Sequence, residues 1–72
     1  MRYVIVIEPT PDGGWGAWAP DLPGVIALGD SREECEREMA EAVAFHLDGL
    51  REDGGVLPAP GTVVSSVEVQ AA

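Results

Sequence analysis

The 72-residue chain has no lysine, one cysteine, one histidine and few aromatics. Each shortage closes a route. A single cysteine, Cys35, forbids an internal disulfide. His46 is the only histidine, so no His/Cys cluster exists to hold a structural metal. Four arginines against thirteen acids leave a net charge of −9. Direct binding to DNA or RNA is not expected, because that affinity rests on basic side chains displacing counterions. No apolar run approaches the ~20 residues that a membrane-crossing helix needs. Met1 to Ile7 is basic then apolar, but Glu8 cuts the run short and no cleavage site follows. No signal peptide is expected, and the single cysteine fits the cytoplasm.

What is present is enough for one small domain over residues 1–72. A chain this short buries only roughly 60% of its unfolded surface, so its core is marginal unless something staples it. With disulfide and metal removed, self-association is the remaining staple, and a homo-oligomer, a dimer or higher, is expected. The acids keep such a domain soluble. They also fit a basic protein partner, whose encounter the opposite field would speed.

Tyr3 to Ile7 is β-branched or aromatic throughout and apolar on both faces. A strand covered on both sides, or central in a sheet, reads this way. Glu8-Pro9-Thr10-Pro11 is expected to stop it. Asp12-Gly13-Gly14 supplies turn chemistry. Trp15 to Ala19 is the second strand, which sends Trp15 and Trp18 to opposite faces. Pro20-Asp21-Leu22-Pro23-Gly24 is a stiff corner. Val25 to Leu28 is a short third strand, and Gly29-Asp30 turns the chain into the helix. There Ser31-Arg32-Glu33-Glu34 forms a capping box, with Ser31 accepting from the Glu34 N–H and Glu34 reaching back to the Ser31 N–H. Cys35, Met39, Ala42, Val43, His46, Leu47 and Leu50 recur at helical spacing as one apolar stripe. Glu33 and Arg37 are placed for an i,i+4 pair. Gly54-Gly55 ends the helix near residue 53. Val56 to Gly61 is a stiff connector. Thr62 to Val69 predicts a fourth, half-exposed strand, with Val63, Ser65, Val67 and Val69 on one face. The fold class is α+β in the order β-β-β-α-β: a three-stranded antiparallel meander, one long helix packed on one face, and a return strand.

Several of these pieces together resemble a known family. Tyr3-Val4-Ile5-Val6-Ile7-Glu8, Gly13-Gly14-Trp15, Pro20-Asp21-Leu22-Pro23-Gly24, Gly29-Asp30-Ser31 with Glu33-Glu34, the helix ending near His46-Leu47 and Gly54, and Leu57-Pro58-Ala59-Pro60 resemble the N-terminal domain of HicB-family antitoxins. The resemblance covers nearly the whole chain in order, and the Pro-Asp-Leu-Pro-Gly corner is its most specific part. It implies a partial RNase-H-like fold without a working nuclease site. It also implies a small basic partner, the mRNA-cleaving HicA toxin, which such domains bind and block. Full HicB antitoxins usually add a C-terminal DNA-binding domain. The 72 residues contain no such stretch, so autorepression and sequence-specific DNA binding are not expected of them.

No catalytic, cofactor-binding or metal-binding residues are expected. His46 and Cys35 lie on the apolar stripe, where packing is the ordinary role. Glu8, Asp21 and Asp30 close a strand, sit in the proline corner and flank the helix cap. They do not form the carboxylate cluster that two-metal chemistry needs. The candidates for partner contact are Trp18, Asp21, Leu22, Asp30, Glu33 and Glu34: Trp18 as an interface aromatic beside the corner, the acids by charge complementarity. Trp15 is the alternative to Trp18. Two functions follow. One is an antitoxin-like binding module that sequesters a basic HicA-type toxin. The other is an orphan HicB-like domain acting as a structural or adaptor homo-oligomer without a toxin.

Overall fold

A computed structural model describes residues 1–71. Three strands, β1 (Val6–Pro9), β2 (Trp15–Trp18) and β3 (Ile26–Gly29), form an antiparallel sheet in the order β1-β2-β3, followed by helix α1 (Arg32–Glu52). The meander and the long helix agree with the sequence pattern.

The bounds of β1 differ from expectation. Its ladder begins at Val6, leaving Tyr3 to Ile5 outside it, and runs past Ile7 to Pro9, which lies opposite Trp15. An edge strand tolerates a proline that a central one would not. The turn that follows is closed twice by backbone bonds, Thr10 N–H to Gly14 O at 2.9 Å and Gly13 N–H to Thr10 O at 3.1 Å. Gly13 has φ +92°, a conformation that other residues adopt only with strain. Asp12 Oδ1 accepts from the Gly14 N–H at 3.2 Å and from the Thr10 hydroxyl, so this carboxylate holds the loop together. The proline corner is likewise two linked turns, Leu22 N–H to Ala19 O and Val25 N–H to Leu22 O.

Ser31 caps α1, accepting from the Glu34 N–H at 3.1 Å. The return half of the box is shifted by one residue: Glu34 Oε2 accepts from the Asp30 N–H at 3.1 Å, not from that of Ser31. At the other end Gly55 N–H reaches Leu50 O and Gly54 N–H reaches Arg51 O, with Gly54 at φ +72°. That is a Schellman stop. The ion pair found on the helix is Arg51 with Asp48 at 3.2 Å; the Glu33–Arg37 spacing does not produce one. Both Arg51 and Asp48 are well exposed, so the pair contributes little.

The core lies between the sheet and α1. Ala17, Ala19, Leu22, Val25, Cys35 and Met39 are buried, with Tyr3, Ile5, Ile7, Trp15, Ala27, Ala42, Val43 and Leu47 packed around them. Cys35 and Met39 are fully buried, as their places on the stripe required. The Cys35 thiol lies 3.8 Å from the Ala27 carbonyl oxygen. Small residues in β2 and β3 let the helix approach closely. A Cβ on Gly29 would stand 2.6 Å from the Cys35 nitrogen.

The return strand is the main departure. Residues 62–69 pair with no strand among the described residues, and their side chains are exposed. The connector is first held where the Tyr3 hydroxyl donates to the Pro58 carbonyl. Asp21 then accepts from the Gly61 and Thr62 N–H groups at 3.0 Å each and from the Thr62 hydroxyl at 2.9 Å. Beyond that joint the chain leaves the body. The radius of gyration is 14.5 Å, against about 11 Å for a compact chain of this length. Local β-propensity was right about the composition of the segment. It could not say that its own sheet would offer it no partner.

Candidate partner-binding surface

Alternation along the three strands divides the sheet into two faces. Ile7, Ala17 and Ala27 lie in one row, and Ala17 is buried under α1. The neighbouring rows, Val6–Trp18–Ile26 and Glu8–Gly16–Leu28, point the other way. Nothing among the described residues covers that face: Trp18 is 45%, Ile26 68% and Leu28 70% exposed. Gly16 keeps the centre low between Trp18 and Leu28. The result is a shallow apolar surface running from Pro9 and Pro11 across to Ile26 and Leu28.

Its polar features lie at the margin. The Trp18 indole N–H donates to Glu8 Oε1 at 3.3 Å, which orients the ring. Past Leu28, a cleft between the β1–β2 turn and the start of α1 is lined by Asp12, Asp30 and Glu34, with Glu33 exposed beside it. Asp12 titrates below its ordinary value because the Thr10 hydroxyl and then the Gly14 N–H bind the charged carboxylate. Among the described residues no group of three or more His, Cys, Asp and Glu side chains is placed to hold a metal ion. The arrangement is an apolar patch with a negative rim at one end. Such a surface can dock a protein that carries apolar side chains beside basic ones.

The six residues singled out from the sequence are dispersed by the fold. Trp18 stands on the open face, while Trp15 packs against the core. Asp30, Glu33 and Glu34 gather at the start of α1, at the far end of that face. Glu34 is half-buried and engaged in the cap. Asp21 is drawn away to hold Thr62, and its carboxyl is shifted below the usual range chiefly by the Thr62 and Gly61 N–H bonds. Leu22 is 1% exposed and belongs to the core, so it presents no surface. The corner reads as a contact loop in sequence. In three dimensions it is a plug and an anchor.

Ile26, Leu28 and Glu8 belong to the open face and were not singled out. The signal was present: Val25, Ile26, Ala27 and Leu28 alternate in direction, so an apolar run of four must expose half of itself on a sheet with one helix. Phe45 is 83% exposed and also lies off the stripe. His46 lines a separate groove between α1 and the start of β3, with Val25, Ile26, Ala42 and Leu50. No helix is long and apolar enough to cross a membrane among the described residues.

The comparisons agree with this architecture. The family model described as "HicB_like antitoxin of bacterial toxin-antitoxin system" matches residues 3–71. Antitoxin HicB 1 of Photorhabdus laumondii is 35% identical over 63 residues, covering 88% of this chain and 41% of that protein. An uncharacterised 14.9 kDa protein of Haemophilus phage HP1 is 40% identical over 58 residues, covering 81% of this chain and 43% of its own length. The chain thus spans about two fifths of the length of these two relatives. The crystal structure of the N-terminal domain of Burkholderia pseudomallei antitoxin HicB superposes with a TM-score of 0.73 at 27% identity, covering 81% of this chain and 69% of that one. A three-stranded meander with one long helix is thus a shared architecture, and the chain belongs to the HicB-like antitoxin family of bacterial toxin–antitoxin systems.

Proposed function

We propose that this domain acts, without enzymatic activity of its own, by binding a small basic HicA-type toxin in the cytoplasm and covering its RNA-cleaving surface. The observation that carries this reading is the uncovered sheet face. Trp18, Ile26 and Leu28 form one apolar surface, and an acidic cleft bounds one end of it. An RNA-cleaving toxin must present positive charge to hold its substrate. A surface that is apolar at its centre and negative at its rim competes for such a site in two ways. The apolar centre supplies affinity on desolvation. The acids at the rim raise the encounter rate.

The test is a binding titration with a small basic protein encoded beside this chain as the candidate toxin. Trp18→Ala is expected to weaken binding by at least about tenfold, the loss typical of a central aromatic anchor. Glu33→Lys, at an exposed position outside the cap bonds, is expected mainly to slow association at low salt. Retained affinity in Trp18→Ala and in Leu28→Ser together, with the helix content unchanged, removes the open face as the docking site. An unchanged on-rate removes the acids.

A further inference from the structure

We propose, resting on the toxin reading above, that the basic partner adds a strand of its own along the free edge of β3 and seats apolar side chains in the groove beside Phe45. The contact then turns the corner of the sheet, from the open face on one side to the flank of α1 on the other.

The edge is the first observation. Among the described residues β3 pairs with β2 alone, so its outer backbone groups have no strand partner. Sheet edges are ordinarily blunted by a charge, a proline, a bulge or a cover. Ile26-Ala27-Leu28-Gly29 carries no charge and no proline, and its register against β2 is unbroken over all four positions. The opposite edge differs, since β1 ends in Glu8 and Pro9. Shortness is what guards β3. An edge of this kind accepts an extended segment of another protein as an added strand.

The groove beside it receives the side chains of such a strand. Between β3 and the second half of α1 lies a space of about 430 Å³ lined by Val25, Ile26, Ala42, Phe45, His46 and Leu50. Phe45 is 83% exposed there, off the stripe that packs on the sheet. A single exposed apolar residue is ordinary, but this one is continuous with Ile26, which also borders the open face. Apolar surface therefore runs round the edge without a break. Alternate side chains of an added strand would fall one way onto Phe45 and Leu50, and the other way beside Ile26 and Leu28.

Charge selects the occupant. On the flank of α1 that faces β3, Phe45 is preceded at helical steps by Glu34, Glu38 and Glu41 and followed by Glu52 and Asp53. Glu38, Glu41, Glu52 and Asp53 are exposed. Among the described residues no arginine shares that flank; Arg37 and Arg51 fall with Ala40, Ala44 and Leu47 toward β1. Two copies of this chain meeting here would set acid against acid. A strand with lysine or arginine among its apolar residues fits instead: the aliphatic stems lie on Phe45 and the charged heads reach the glutamates.

The test uses the small basic protein encoded beside this chain, in titrations and in amide hydrogen exchange. The outward-pointing amides of β3 should exchange fast in the free domain and become protected in the complex. Phe45→Ala should weaken binding by at least about tenfold. Glu38→Lys with Glu41→Lys should slow association at low salt. All three residues are exposed, so helix content should not change. If the unaltered chain does not bind, the toxin reading fails and the strand addition fails with it. If it binds, undiminished binding by Phe45→Ala, or β3 amides that stay fast in the complex, overturns the strand addition alone and leaves the toxin reading standing. A change in the sedimenting mass of the free domain on Phe45→Ala would give this edge to a second copy and overturn the proposal as well.

Discussion

Replacing Gly29 with alanine tests the packing of β3 against the helix start. A Cβ at Gly29 would lie 2.6 Å from the Cys35 nitrogen and 2.8 Å from its Cα, both of them backbone atoms. Ordinary contact begins at 3.4 Å, so the first turn of α1 must withdraw by about 0.8 Å. It has little room to do so. Only Asp30 and Ser31 separate β3 from α1, and the Cys35 N–H is already bonded to Ser31 O at 3.0 Å. Cys35 is also fully buried, so moving it disturbs the core. Overpacking of this kind costs about 1–3 kcal/mol. In a domain of this size each kcal/mol moves the melting midpoint by roughly 4–8 °C. Gly29→Ala should therefore lower Tm by about 10 °C. Gly16→Ala is the control. Its Cβ would meet the Thr10 and Leu28 side chains at 3.5 and 3.6 Å and the Ala27 carbonyl oxygen at 4.0 Å, all ordinary contacts, and its φ is not positive. That variant should melt at or slightly above the starting temperature, because alanine restricts the unfolded chain. Thermal unfolding by far-ultraviolet circular dichroism at matched concentrations decides it, since association would make Tm concentration-dependent. If Gly29→Ala melts with the unaltered chain, the close approach is not a constraint and the reasoning fails.

Ser31→Ala removes the oxygen that accepts from the Glu34 N–H and should cost about 0.5–2 kcal/mol in chemical denaturation; Ser31→Asp, which restores an acceptor, should recover most of it. For Asp21 the sign follows from its depressed pKa. The bonds from Thr62 and Gly61 favour the charged carboxylate and hold its pKa below the ordinary 3.8. The joint it makes is fully in place above that value and is lost as pH falls through the lower, folded value. Protection of the Gly61 and Thr62 amides, measured against the intrinsic exchange rate at each pH, should therefore hold at neutral pH and fall in strong acid. In Asp21→Asn it should be lost at neutral pH; protection there would show that the carboxylate does not hold the connector.

Much of this protein is determined by short-range chemistry that the sequence displays directly. The capping residues, the three- and four-residue spacing of the stripe from Cys35 to Leu50, and the Gly54-Gly55 stop define α1 almost to the residue, because each acts within one or two turns. The paired turns around Gly13 and Gly24 are local in the same way. The family resemblance was legible because it rests on such local stretches in their order along the chain. Tertiary structure decided the rest. It buried Leu22 and tied Asp21 to Thr62, 41 positions away, so a corner that looks like a contact loop became an anchor. It aligned Trp18 with Ile26 and left both uncovered, which requires the β2–β3 register and the side on which the helix sits. It also left residues 62–69 without a ladder. Their alternation states that they want a sheet edge, but hydrogen-bonding partners for a strand lie far away in sequence or in another molecule. No pattern within eight residues can specify which.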